Sequence, residues 1–239
     1  MTSATPPTAA DFFTRTAERA PRVLDRRDGP YGEIVLRQRG ADPEAVFEII
    51  ANGCFLMDTS DGRSERLLIR AALDAAAVPR PSVLVGGLGA GFSLAEAAAD
   101  PAVSRITVLE REEAVVRWHS GPLARFSAGA LDDPRTEVVT ADLLDHLRGT
   151  RDRWDVVCLD IDNGPEWTVT DANGGLYGFA GLTVLQRALA PTGVLAVWSA
   201  APASDFEERL RARFQRVRRL DVEVKRGAPD VVYLASQVQ

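Results

Sequence analysis

Between Ser82 and Ser199, five short and almost wholly apolar segments alternate with helical stretches, and this beat limits the fold more than any other feature of the 239-residue sequence. The segments are SVLVG (82–86), RITVLE (105–110), TEVVTA (136–141), WDVVCLD (154–160) and GVLAVWS (193–199). Between them lie SLAEAAAD, EEAVVRWH, LLDHLRG and FAGLTVLQRALA. Strands that are apolar on both faces need cover on both faces, and the crossover helices that join parallel strands supply it. The pattern predicts an α/β, doubly wound fold. The tail departs from the beat. QRVRRLDVEV and DVVYLASQV are separated only by KRGAP, too short for a helical crossover, so these two strands are expected to pair antiparallel.

In front of this region the text is different. Residues 1–29, Pro, Thr and Ala rich at their start, predict a poorly structured lead-in. Residues 30–80 predict a small β region, with a turn at Asn52-Gly53, followed by a helix (SERLLIRAALDAAA) that Pro79 and Pro81 close. Residues 81–239 then form the main domain. No apolar run is long enough to cross a membrane and the start lacks an export signal, so a cytoplasmic protein without a membrane partner is expected. Cys54 and Cys158 each sit in an apolar run and read as reduced packing residues. Against 34 acids there are 28 basic residues, of which Lys225 is the sole lysine, and the net charge is −6. That balance argues against nucleic acid as a partner, because neutralising phosphates supplies most of such affinity.

The chemistry is expected at the carboxyl ends of the strands, where doubly wound folds bind ligands. VLVGGLGAGFSLAE (83–96) runs from a strand through a glycine turn into a helix, which lets backbone approach a ligand and offers free N–H groups. The candidate contacts there are Gly86, Gly87, Gly89 and Gly91. Phe92 stands where a dinucleotide fingerprint wants its last glycine, which disfavours NAD. Glu110 ends the next strand, placed to accept ribose hydroxyls, with Arg111 beside it, whereas Glu112 and Glu113 read as a solvated helix start. Ala141 and Asp142 follow the third strand, with Asp142 able to cap a helix, read an adenine edge, or both. The fourth strand ends in Asp160, Ile161, Asp162, Asn163, Gly164 and Pro165. Two close carboxylates suit a bound cation, and one with a raised pKa can take a proton from an ammonium. Asp160 and Asp162 are therefore the candidate catalytic residues. Asn163, Trp167 and Tyr177, in the segment after them, are candidate substrate contacts, although either aromatic would also serve as packing. His119 and His146 have no acidic or cysteine partner at metal-ligand spacing, so no metal is expected.

Taken in order, these pieces resemble the spermidine synthase family of aminopropyltransferases. The resemblance covers about Pro30 to Gln237, from PYGEIVL through the glycine turn, Glu110, Ala141-Asp142 and DVVCLD to ALAPTGVLAV. It implies a small N-terminal β-domain before a seven-stranded, Rossmann-like sheet of the class I methyltransferase type, and a homodimer. It also implies that Glu110 binds ribose, Asp142 adenine, and that Asp160 is the base or amine-orienting carboxylate. The sequence departs from the family in three places. The turn aspartate that holds the aminopropyl ammonium of decarboxylated S-adenosylmethionine is Gly89 here, a Tyr-His pair gives way to SERLLIR, and the Asp-Ser-x-Asp-Pro turn is rewritten. Loss of the turn aspartate would relax discrimination against ordinary S-adenosylmethionine. The leading expectation is therefore methyl transfer from S-adenosylmethionine to a small, amine-bearing substrate. Aminopropyl transfer from decarboxylated S-adenosylmethionine is the alternative, and a non-catalytic binder of the same fold a further one. The acids are unevenly placed: Thr140 to Gly175 carries −5, while Asp205 to Arg226 carries +3. A cationic ligand would be drawn to the first of these stretches.

Overall fold

The computed structural model describes residues 20–168, 171–225 and 227–238. Four strands, β1 (Arg22–Gly29), β2 (Gly32–Arg39), β3 (Val46–Ala51) and β4 (Cys54–Asp58), form an antiparallel meander in chain order. Arg22–Gly29 thus belongs to the first sheet and not to a poorly structured lead-in; residues 1–19 lie outside the described residues. Asn52 and Gly53 turn the chain between β3 and β4 with φ of 51° and 76°. Two left-handed residues in succession match the twist of a tight hairpin. The Asn52 amide also accepts from the Glu33 N–H at 2.9 Å and donates to the Tyr31 carbonyl at 3.0 Å.

After helix α1 (Arg63–Ala75) come β5 (Ser82–Gly86), α2 (Phe92–Ala99), β6 (Arg105–Glu110), α3 (Glu113–Trp118), β7 (Thr136–Thr140), α4 (Leu143–Gly149) and β8 (Trp154–Leu159). Helices α5 (Asp171–Tyr177) and α6 (Phe179–Ala188), strand β9 (Leu189–Ser199), helix α7 (Ser204–Arg211) and strands β10 (Phe214–Val222) and β11 (Asp230–Val238) complete the chain. The second sheet runs β10-β11-β9-β8-β5-β6-β7, parallel from β7 to β9 and antiparallel at β11 and β10. This is the seven-stranded sheet with a terminal hairpin that the sequence predicts.

The two-residue period of the strands divides the interior. Val83, Val85, Val156, Cys158, Val194 and Ala196 face one core, which they share with Ile34, Leu36, Phe47 and Ile49 of the first sheet and with Leu68, Ile69 and Ala72 of α1. Leu84, Val157, Leu159, Leu195 and Val197 face the other, under α4, α6 and α7. The small sheet is therefore welded to the main one by shared apolar burial. Polar ties at its edge add to this: Trp118 donates its indole N–H to Asp25 at 3.0 Å, and Arg125 reaches the Ala45 carbonyl at 2.7 Å.

Because Leu84 is wholly enclosed, Leu84→Ala is expected to cost ~2–5 kcal/mol in urea denaturation, through lost transfer energy and a residual cavity. Val23→Ala, at a position 47% exposed, is expected to stay within about 0.5 kcal/mol of the parent.

Candidate active site

The chain leaves β5, fills β6 and β7 on one side, and then crosses back to place β8 on the other side of β5. A crevice opens at such a reversal, outside the carboxyl ends of the strands. Here it is a cavity of ≈ 390 Å³ walled by those strand ends, by Leu56 and Met57 of β4, by Glu65 of α1 and by Gly175 and Leu176 of α5.

The glycine turn forms one wall. Gly87 has φ of 90°, and a Cβ there would lie 2.2 Å from the Asp160 carbonyl oxygen, so only glycine lets the ends of β5 and β8 meet this closely. The junction is sealed by the Asp160 N–H donating to the Gly86 carbonyl at 2.9 Å. Gly89, with φ of 48°, points the missing side chain at the Met57 sulfur, 2.7 Å from an ideal Cβ. The same sulfur accepts the Ala90 N–H at 3.3 Å. The space that an acidic side chain would enter at this position is thus filled by a thioether from the first sheet. Gly87 and Gly89 face the cavity, whereas Gly86 and Gly91 stand behind its wall.

Glu110 is 8% exposed at the end of β6. One carboxylate oxygen accepts the Leu88 N–H at 2.9 Å and the other the Glu112 N–H at 2.8 Å. Burial pushes its pKa up, and these backbone donors oppose the shift. Two oxygens offer about four acceptor positions, so the side chain held in this way can still take hydroxyl donors from the cavity. Arg111 also lines the cavity, with its guanidinium 4.7 Å from the centre of the Tyr31 ring. Glu112, read in the sequence as solvated, is a cavity residue as well. Asp142 both caps α4, accepting the Asp145 N–H at 3.0 Å, and borders the cavity beside Ala141.

At the end of β8, Asp160 accepts the Ser93 hydroxyl at 2.7 Å. Its pKa is raised, first by burial, against the pull of Ser93, and further by the charges of Asp230 and Glu110. Asp162, at φ of 54°, lines the cavity next to it. The other residues expected to touch substrate do not converge there. Tyr177 is a core residue, 1% exposed, edge-on to Phe206 at 5.6 Å, with its hydroxyl donating to the Ile161 carbonyl at 3.1 Å. It supports the acidic turn from behind. Asn163 is buried and donates to the Phe55 carbonyl at 3.2 Å, tying that turn to β4, outside the cavity wall. Trp167 is 59% exposed and does not border the cavity. Part of the segment after the acidic turn is α5, whose glycine-rich residues are held helical by burial of Leu176 and Tyr177.

Glu65 is a cavity acid that the sequence reading did not include. It is 6% exposed, and burial together with the charge of Asp160 raises its pKa. Its signal was present: Glu65 shares a helical stripe with Leu68, Ile69 and Ala72, and an acid on an apolar stripe calls for an explanation. Among the described residues, no group of three His, Cys, Asp or Glu is arranged to hold a metal ion, and no helix is long and apolar enough to cross a membrane.

The fold is thus a Rossmann-like sheet with an acidic cavity at its switch point, closed on one side by a small β-sheet. Residues 66–212 match the spermine/spermidine synthase domain model, and the chain belongs to that family. It is 30% identical over 172 residues to polyamine aminopropyltransferase 1 of Streptomyces coelicolor, covering 71% of this chain and 31% of that protein. It is 32% identical over 187 residues to the polyamine aminopropyltransferase of Mycobacterium tuberculosis, covering 76% and 34%. The chain thus spans about a third of the length of these relatives. In fold it resembles a spermidine synthase crystallised with the transition-state analogue AdoDATO (TM-score 0.74, 21% identity, 90% of this chain and 74% of that one). The enzyme from Thermotoga maritima is similar at a TM-score of 0.73, 20% identity, and 90% and 73% coverage. The expectation of methyl transfer is corrected by these matches: the family and its curated members are aminopropyltransferases. A missing turn aspartate was too slender a basis for changing the reaction, since its place is repacked by Met57 and other carboxylates face the cavity.

Two outcomes are expected. Gly89→Ala should cost about 1–3 kcal/mol through its backbone conformation, and a double-mutant cycle with Met57→Ala should return a coupling energy of about 0.5–3 kcal/mol from the steric contact. The raised pKa values of Glu65 and Asp160 mean that the folded chain holds protons that the unfolded chain has released. Stability is then full below the ordinary carboxylate range and falls as pH rises through the raised values. Thermal unfolding of the ligand-free protein should show this decline from mildly acidic to mildly alkaline pH, and Glu65→Gln should flatten it.

Proposed function

We propose that the chain is the catalytic part of a polyamine aminopropyltransferase, moving the aminopropyl group of decarboxylated S-adenosylmethionine to a primary amine of a small diamine. The observation that carries this reading is the convergence of Glu110, Asp160, Asp162 and Glu65 on one cavity in a chain of the spermine/spermidine synthase family. Glu110 takes the ribose hydroxyls on the acceptor positions its backbone partners leave open. Ala141 and Asp142 border the adenine, with Arg111 beside them. Gly87 lets the donor lie against the backbone, and Gly86 and Gly91 shape the turn from behind.

The reaction is an in-line displacement at the carbon next to a sulfonium, so holding nucleophile and carbon in line supplies much of the acceleration. The nucleophile must first lose a proton, because an ammonium has no lone pair. Asp160, fixed by Ser93 and raised toward neutrality by burial, is placed to accept it, and Asp162 to orient the amine. Surrounding carboxylates favour two cationic reactants over neutral ones. A cytoplasmic homodimer is part of the same proposal; Val23 and Phe55 give the first sheet exposed apolar side chains suited to a second copy.

Incubation with decarboxylated S-adenosylmethionine and putrescine should yield spermidine and methylthioadenosine by mass spectrometry. Asp160→Asn should lower kcat by about 10²–10⁴-fold while donor affinity by calorimetry changes little. A methylated product, or donor binding without transfer, would overturn the proposal.

A further inference from the structure

Two residues outside the cavity are hydrogen-bonded to its acids. The Ser64 hydroxyl lies 3.0 Å from the Glu65 carboxyl and 2.7 Å from that of Asp230. Glu65 faces the cavity, Ser64 is buried, and Asp230, the first residue of β11, is half-exposed beyond it. The line Glu65, Ser64, Asp230 leads from the cavity to the outer edge of the sheet. A second hydroxyl on the inner side, that of Ser93, sits 2.7 Å from the Asp160 carboxylate and 3.4 Å from the main-chain carbonyl of Glu65, so Asp160 lies against the first turn of α1.

We propose that Glu65, Ser64 and Asp230 form a proton relay that carries the proton lost by the attacking amine out of the cavity. The relay rests on the aminopropyl-transfer reading above. In that reaction the ammonium gives one proton to Asp160, which faces the same cavity as Glu65, and the freed lone pair forms the new C–N bond. The C–S bond breaks with its electrons going to sulfur, which leaves as a neutral thioether. The product nitrogen keeps its remaining protons as a secondary ammonium, so each turnover releases one proton. Glu65 and Asp160 lie on the buried side of the cavity, under α1 and the end of β8, so a proton taken up there needs a route out before the next cycle.

The hydrogen bonds fit this task. A serine hydroxyl has one proton and two acceptor positions, so it can donate to Asp230 while accepting from a protonated Glu65. When Asp230 takes the serine proton, Ser64 takes that of Glu65, and Glu65 is ready for the next. Burial and the charge of Asp160 raise the pKa of Glu65, which favours its taking up a proton from the cavity side. Several other groups bear on the chain. They are Asp160 and Asp162 after β8, Glu110 of β6, Ser93 of α2, Trp198 of β9 and the Tyr177 hydroxyl behind the acidic turn. At the outlet lie Arg63, which favours the ionised form of Asp230, and Asp61, which opposes it, with Lys225 near Asp61.

The test uses the whole chain with putrescine and decarboxylated S-adenosylmethionine. Ser64→Ala and Asp230→Asn should each lower kcat by about an order of magnitude or more, leave donor affinity and KM unchanged, and raise the solvent deuterium isotope effect. Ser64→Thr, which keeps the hydroxyl, should restore kcat, as should a small diffusible buffer added to Ser64→Ala. Parental kcat in Ser64→Ala, or a loss that neither treatment repairs, overturns the relay. Infrared difference spectroscopy without turnover separates this from the function itself. The parent should show a protonated-carboxyl band that vanishes in Glu65→Gln and shifts in Ser64→Ala. Absence of that band overturns the relay even in an active enzyme. A band that behaves as described, in a chain that transfers no aminopropyl group, supports the relay contact and overturns the proposed function instead.

Discussion

The carboxyl edge of the main sheet depends on one close approach, that of the backbone after β5 to the end of β8. Gly87 has no side chain, and the Asp160 carbonyl occupies the place where a Cβ would stand. Any other residue would push the two strands apart. The consequence is that Glu110, clamped to the Leu88 N–H of the turn, and Asp160, clamped to Gly86, are held to the same short stretch of main chain. A ligand lying along the turn meets both acids at a fixed separation, which is what pre-organised catalysis requires.

Placing several carboxylates in one enclosed space has a cost that the structure meets in different ways. Glu110 is stabilised by two backbone donors, Asp160 by Ser93, and Asp142 by its helix cap. Glu65 is held by the Ser64 hydroxyl, and its burial and the charge of Asp160 favour its neutral form. These unequal environments separate acids that would otherwise titrate alike, and separated pKa values let one carboxyl carry a proton while its neighbour stays charged. Of the acids between Thr140 and Gly175, Asp142, Asp145, Asp160 and Asp162 line this cavity, whereas Asp152 and Asp155 sit at the opposite ends of the strands, beside Arg105 and Ser82.

The small first sheet does more than extend the fold. Met57 fills the side-chain space above Gly89, Leu56 and Met57 wall the cavity, and the Phe55 carbonyl holds Asn163 and with it the acidic turn. None of this was legible locally. The β4 text, CFLMD, reads only as a strand, and its role comes from the shared core that presses the two sheets together. Tyr177 shows the reverse. Its nearness in sequence to the acidic turn suggested a substrate contact, yet burial against Phe206 turns it toward the core. Proximity along the chain places a residue near a site without deciding which way it faces.

The sequence by itself determined the order of elements: five parallel strands, a glycine turn, acids at strand ends and a closing antiparallel hairpin. These are written in hydrophobic period, in glycine placement and in connection length, all of them local properties. Glu110, Asp142 and Asp160 could be named because a strand's last residue must emerge at the edge of the sheet. Glu65 stands out only as an acid on an apolar helical stripe, and nothing local joins it to Ser64 and Asp230 or to this edge, because α1 and β11 lie far from it along the chain. Only packing α1 against the main sheet brings Ser64 within 2.7 Å of Asp230, across 166 residues of sequence. What the tertiary structure decided was which acids share one enclosed space, since desolvation and mutual repulsion act through distance in space and leave no local pattern.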